Sequence, residues 1–318
     1  MTRPESQRAT ARLDTTVLLI GPGWLGQVVA AQLAALGATV AVLQRTPRAS
    51  SSDILALTGD IASAARGPEQ LAVLQSVVQT ALPGPIGHLV VCIAPSRTRG
   101  DDHSIYSQAA AGVAVLARAL RIRSVLYVSS TGVYDRHDGS EVTEQSSIVP
   151  RDTRGQALYD AEQRIATVAD DDDATVHIVR AAGLYGPQRD PAARLADPAL
   201  AAGNVWCNFA WRDDVVSAIT HLLMHDRAPG VRVFNCADGT PLRSSAIAAT
   251  LAGRAMDSSM DATEHTVIDR VAPLRRGRSN QRINVDALKA TGWRPIAASV
   301  YDGLRLLGHQ VPPAPGTT

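Results

Sequence analysis

The sequence predicts an α/β fold: a doubly wound parallel sheet covered by helices on both faces, with a small discontinuous C-terminal lobe. Three observations predict it. Short apolar runs alternate with helical spacing through the first two-thirds of the chain, the pattern of parallel strands buried on both faces. The first run, Val17-Leu18-Leu19-Ile20, leads straight into Gly21-Pro22-Gly23-Trp24-Leu25-Gly26. After Arg180 the rhythm breaks into Gly-, Pro- and Asn-rich sequence.

Taken in order, the strands fall at 17–20, 39–43, 54–57, 88–93, 124–128 and 175–179. Helical spacing occupies 27–36, stopped by Gly37, then 68–81, the Ala-rich stretch 103–120, and 152–168. Residues 183–210 read as irregular. A helix at 213–224 and a short strand at 231–234 partly rejoin the main sheet, and a last helix spans 299–307. The division is then a tail over 1–14, a nucleotide-binding domain over 15–182, a substrate lobe from 183–212 and 236–308, and a tail over 309–318.

Composition narrows the function. The 318 residues are 45% hydrophobic with a net charge of +1, so a sizeable core is available and no basic field points to nucleic acid or an anionic membrane. Cys92, Cys207 and Cys236 form neither a disulfide framework nor a zinc pattern. Asp170-Asp171-Asp172-Asp173 reads as a solvated loop, because four consecutive carboxylates do not converge on one ion. No metal is expected. No apolar run is long enough to span a membrane and residues 1–14 lack the apolar core of a secretory signal, so a cytoplasmic location is expected. Lys289 is the chain's one lysine. A mechanism that needs a lysine elsewhere has none to use.

A G-x-G-x-x-G between a strand and a helix is the context a dinucleotide site requires, and it makes the expected fold Rossmann-type. Gly21 permits the tight turn, Gly23 lets the backbone approach a pyrophosphate, and Gly26 lets helix and strand pack closely. The helix N-terminus offers unpaired N–H groups to phosphate oxygens. Trp24 and Leu25 lie in the same loop, and Ala94 and Pro95 follow the fourth strand. About twenty residues past the glycines, an acidic residue would accept from the ribose hydroxyls of NAD. Here that position is Gln44, followed by Arg45 and, nearby, Arg48. A guanidinium there suits a 2′-phosphate, so NADP(H) is favoured over NAD(H), although both arginines can equally be loop surface. Asp60, after the third strand, can accept from an adenine amine or form a turn.

Further segments carry a resemblance. They are Val128-Ser129-Ser130-Thr131-Gly132-Val133-Tyr134, Arg180-Ala181-Ala182-Gly183-Leu184-Tyr185-Gly186-Pro187, Asn208 to Val215, Phe234-Asn235-Cys236, and Asn284 to Pro295. In this order and spacing the chain resembles the extended short-chain dehydrogenase/reductase superfamily, in its epimerase/dehydratase branch, over about 16–308. The resemblance implies that Ser130 touches the reacting carbonyl and that Arg180 and Gly183 lie near the nicotinamide. It also implies pairing of subunits through helices 103–120 and 152–168, so a homodimer is an open expectation.

The chain departs from that family in three places. Ile20 stands where the family's first glycine would be. The Tyr-x-x-x-Lys pair is missing: counting back from Glu162 puts Leu158 at the Lys position and Arg154 at the Tyr position. The alternative register, Tyr159-x-x-x-Gln163, sits one turn late and still lacks Lys. Third, Trp211 stands where a His is common.

Without that pair a proton must come from elsewhere. Arg154 is always protonated and relays no proton, but it can orient a carboxylate or stabilise an oxyanion. Tyr134, Tyr159 or a water held by Ser130 would have to supply the proton, and Tyr134 ranks first, with a packing role as its alternative. Tyr185, Arg212, Arg278 and Arg282 are further substrate candidates. The expectation is an NADP-dependent reductase or dehydrogenase of a small polar or anionic substrate. The competing readings are an epimerase or dehydratase with retained nucleotide, and a non-catalytic NAD(P)-binding regulator.

Overall fold

A computed structural model of the protein describes residues 12–47, 53–94, 103–170, 173–253 and 279–311. Seven parallel strands form the central sheet: β1 (Thr16–Ile20), β2 (Thr39–Gln44), β3 (Ile54–Thr58), β4 (His88–Val91), β5 (Ser124–Ser130), β7 (Thr175–Ala181) and β11 (Gly230–Cys236). Their order is β11-β7-β5-β4-β1-β2-β3. The order reverses between β1 and β4, and in such a sheet the ligand crevice opens at the strand C-termini there. The central strands are mostly apolar because both faces are covered: all four residues of β4 and all seven of β7 are buried.

The principal helices are α1 (Gly26–Ala35), α2 (Pro68–Ala81), α3 (Ser104–Ala119), α4 (Thr153–Ala166) and α7 (Arg212–His225). Expected and observed bounds differ mainly at the ends. β5 runs on through Ser130 and β7 through Ala181, because Ser129 and Ser130 pair with Arg180 and Ala181 in register. Propensity alone does not reveal that partner. The fourth strand ends at Val91 rather than 93, although Cys92 still donates to the Ile20 carbonyl at 2.8 Å. Asp152 is the cap of α4, accepting from the Gly155 N–H at 2.6 Å. Strand β11 is a full edge strand, seven residues in register with β7.

The irregular stretch holds more order than its composition suggests. It carries β8 (Gly183–Tyr185), α5 (Ala192–Leu195), α6 (Pro198–Ala202), β9 (Trp206–Cys207) and β10 (Phe209–Trp211). β8 and β10 pair in parallel. Further on come β12 (Leu242–Arg243), α8 (Ser244–Leu251), β13 (Arg282–Ile283), α9 (Asp286–Ala290) and α10 (Val300–Leu306). All but β13 and α9, whose Ile283 and Leu288 join the main core, pack around a second apolar cluster built on Tyr185, Leu195, Phe209, Trp211, Ile247, Tyr301 and Leu304. Two ties fasten these C-terminal pieces to the rest of the chain. Strand β13 pairs with β6 (Glu141–Val142), and the buried Asp214 of α7 accepts from the N–H groups of Ile296 and Ala297 at 2.6 and 3.0 Å.

Candidate active site

One cavity of about 900 Å³ runs from the ends of β1 and β2, past β4 and β5, to the second cluster. The glycine loop forms its floor. Gly21 has φ of +90°, and a Cβ there would lie 2.7 Å from the Cys92 carbonyl oxygen. A Cβ on Gly26 would overlap the Gly21 carbonyl oxygen. A Cβ on Gly23 would meet nothing within 4 Å. The loop therefore closes tightly on the protein side and leaves the backbone bare on the cavity side. The first turn of α1 holds no acidic residue, so no carboxylate competes for its N–H groups.

Gly21, Gly23, Trp24, Leu25, Gln44, Arg45, Asp60, Ala94 and Gly183 line this cavity, with Ser130 and Arg154 further along. Arg45 is exposed. Asp60 does make a turn: it accepts from the Ala62 N–H at 3.2 Å and caps the short helical turn Ile61–Ala65. Arg48, Pro95 and Arg278 lie outside the described residues. Tyr159, on α4, does not line the cavity. Arg282, of β13, does not line it either and lies over the Trp206 ring, 5.5 Å from its centroid.

The structure places four expected site residues away from the cavity lining. Tyr134 is 1% exposed; its hydroxyl donates to Asn235 Oδ1 at 2.7 Å and accepts from Arg180 Nη1 at 2.8 Å. Arg180 is buried beside it, in a two-pronged pair with Glu162 at 2.7–3.2 Å. Glu162 also accepts from the Ser129 hydroxyl at 2.5 Å. The network satisfies its own hydrogen bonds, with Ser129 at the cavity wall and neither Tyr134 nor Arg180 among the lining residues. Tyr185 is buried in the second cluster, edge-on to Phe209 and Trp211 and pressed against Gly303. Arg212 pairs with Asp213 at 2.7 Å and lies over the Trp24 ring, outside the cavity.

Sequence reasoning missed Arg189, Arg194 and Tyr106, and the contacts that Trp24 and Asn208 make. Arg189 and Arg194 line the lobe end of the cavity. Trp24 ties the glycine loop to the lobe: its indole N–H donates to the Pro187 carbonyl at 2.8 Å, and the Arg189 guanidinium sits 4.3 Å from its ring centroid. Asn208 holds β13 in place through the Gln281 carbonyl and the Ile283 N–H, both at 2.8 Å. Tyr106, on α3, also lines the cavity, and Arg154 is close enough to act electrostatically on its phenol. Trp24 and Asn208 lie in segments that the sequence singles out, whereas Arg189, Arg194 and Tyr106 belong to no motif. Their signal is convergence in space.

The electrostatics of the cavity are one-sided. Arg45, Arg154, Arg189 and Arg194 line it, and Asp60 is the one acidic side chain among its described lining residues. Leu158, 1% exposed, fills the wall where the family resemblance expects a lysine. Ser130 accepts from the Gly132 N–H at 3.2 Å, which leaves its hydroxyl proton to give.

With this geometry in view, the comparisons agree. Residues 17–237 match the model of the NAD dependent epimerase/dehydratase family, and the chain belongs to that family. It is 30% identical over 229 residues to Protein YeeZ of Escherichia coli K12, covering 72% of this chain and 80% of that protein. A functionally unknown conserved protein from Silicibacter pomeroyi superposes with a TM-score of 0.63 at 25% identity, over 92% of this chain and 98% of that one. The Bordetella bronchiseptica enzyme WbmG, solved in complex with NAD, superposes with a TM-score of 0.68 at 16% identity, over 96% of each chain. Among the described residues no helix is long and apolar enough to cross a membrane.

Proposed function

We propose that the chain is an NADP-dependent oxidoreductase, a reductase or dehydrogenase of a small polar or anionic substrate. The observation that carries this reading is the single cavity joining a bare glycine floor to four arginines with one opposing carboxylate. The residues fit a dinucleotide. Gly23 leaves the floor open, the N-terminus of α1 suits a pyrophosphate, and Gln44 stands where an acid would select an unphosphorylated ribose, with Arg45 beside it to favour a 2′-phosphate.

Bound there, the nicotinamide supplies or accepts a hydride. Everything else falls to the chain's own side chains. Ser130 can donate its hydroxyl to a substrate carbonyl. Arg154 stabilises negative charge growing on that oxygen but, being always protonated, relays no proton. Arg189 and Arg194 offer charge-assisted hydrogen bonds to an anionic group at the lobe end.

Calorimetric titration of the purified protein with NADPH and NADH tests the reading. NADPH is expected to bind more tightly, and Arg45→Ala to cost it roughly tenfold or more, the value of a charged hydrogen bond, with NADH little changed. Absence of binding by either nucleotide to nucleotide-free protein sinks the proposal. An epimerase or dehydratase cycle is the second reading, favoured by the family match. Nucleotide that copurifies with the protein and survives dialysis would favour it.

A further inference from the structure

We infer that Tyr106, on α3, is the catalytic proton donor of this cavity, with Arg154 as its positioning cation. The inference rests on the oxidoreductase reading above.

The residue that would ordinarily donate a proton is absent from α4, which carries Arg154 and Leu158 instead. Tyr134, the obvious substitute, has both sides of its hydroxyl engaged behind the wall. Tyr159 does not line the cavity. Tyr106 does, on the helix that packs against α4. It is 8% exposed, so its ring is held while its edge meets the cavity. Its ring also stacks on His103, with centroids 6.5 Å apart and planes at 22°.

Arg154 lies between Tyr106 and Ser130. A Cβ built on Gly132 would come within 2.9 Å of Arg154 Nη1 and 3.4 Å of Ser130 Oγ, so guanidinium and hydroxyl flank the same point of the wall. Arginine only donates. Towards the neighbouring Arg154 the phenol oxygen can therefore only accept, and its own proton is left for a cavity ligand. Burial raises the Tyr106 phenol above its ordinary value, with Arg154 opposing the rise. A phenol so placed stays protonated at neutral pH, as a donor must.

The step balances. A hydride from the reduced nicotinamide nucleotide adds to the substrate carbonyl carbon, and the carbonyl π pair moves onto oxygen. The Tyr106 O–H bond breaks as its proton joins that oxygen. The product is an alcohol, the nucleotide is oxidised by two electrons, and the phenolate on Tyr106 is held by Arg154 until solvent reprotonates it. Ser130 donates to the same oxygen from the other side.

The test labels the protein with ζ-¹³C tyrosine. The Tyr106 resonance is identified by its loss in Tyr106→Phe and followed from pH 7 to 11 in wild type, Arg154→Lys and Arg154→Leu. With a cation beside the phenol, the resonance should move at a pH about one unit lower in wild type and Arg154→Lys than in Arg154→Leu. Superimposable curves overturn the inference. In parallel, NADPH affinity is measured by calorimetry and NADPH oxidation with 2-oxo acids and simple ketones as probes. Tyr106→Phe should bind NADPH as wild type does and lose about 100-fold or more in kcat. A Tyr106→Phe protein that keeps wild-type kcat overturns the donor role and leaves the oxidoreductase reading standing. A wild type that binds NADPH yet oxidises it with none of the probes overturns that reading, and the donor role with it.

Discussion

Two neighbouring serines at the end of β5 sit in opposite kinds of chemistry. Ser129 gives its hydroxyl to Glu162, inside a closed circuit that continues through Arg180 and Tyr134 to Asn235. Ser130 stands at the open wall with Arg154 and Tyr106. Successive strand residues point to opposite faces, so one position separates a self-satisfied network from a set of side chains with hydrogen bonds to spare. Both regions are rich in ionisable groups. What distinguishes them is whether each donor already has its acceptor within the protein. Charge and burial alone would have ranked Tyr134 and Arg180 as functional, and the hydrogen-bond pattern reverses that ranking.

The comparison breaks most visibly at the closed circuit. Glu162→Leu leaves the Arg180 guanidinium buried and unpaired, which should cost about 3–5 kcal/mol of unfolding free energy, read by urea denaturation. Arg154→Leu at the open wall should cost under about 1 kcal/mol, within the range of a partly exposed site. Equal losses would erase the distinction.

The glycine floor comes next. Gly26→Ala drives a methyl into the Gly21 carbonyl, an overpacking worth roughly 1–3 kcal/mol. Because the strain moves the loop itself, NADPH affinity should fall further than stability does. A Gly26→Ala protein that binds NADPH normally would show that the tight turn has nothing to do with the nucleotide.

An effect that is smaller per pH unit sharpens the contrast. Asp238 is buried with one carboxylate oxygen accepting from the Thr240 N–H at 3.0 Å and the other without a hydrogen-bond partner. Burial, assisted by the nearby Asp214 and Asp302 carboxylates, pushes its pKa up to about 8. The folded state then holds a proton that the unfolded chain has released above pH 4, so stability falls as pH rises from about 4 to 8, by at most about 1.4 kcal/mol per pH unit. Asp238→Asn should flatten that slope, with the largest gain over wild type near pH 8. Thermal melts from pH 5 to 8 check it, and parallel wild-type and mutant curves would refute it.

The sequence carried the frame of the molecule and half of its site. Local pattern was enough for the main-sheet strands, for α2 at 68–81 and for the glycine loop, because buried parallel strands need unbroken apolar runs and a tight strand-to-helix turn needs glycine. It was not enough for β8, β9 and β10, whose two or three residues take their order from partners distant in sequence.

What the sequence by itself determined is therefore whatever is written in backbone and period: the strand order's raw material, the turn that suits a pyrophosphate, the single lysine in the wrong place. Tertiary structure alone decided which polar side chains remain available. Arg180 and Tyr134 sit in recognisable motifs yet are spent on Glu162 and Asn235, residues 18 and 101 positions away. Tyr106 sits in an unmarked Ala-rich helix yet meets Arg154 at the cavity. A hydrogen bond is a fact about two groups and the water excluded between them, and the distance that sets it is fixed only when the helices have packed.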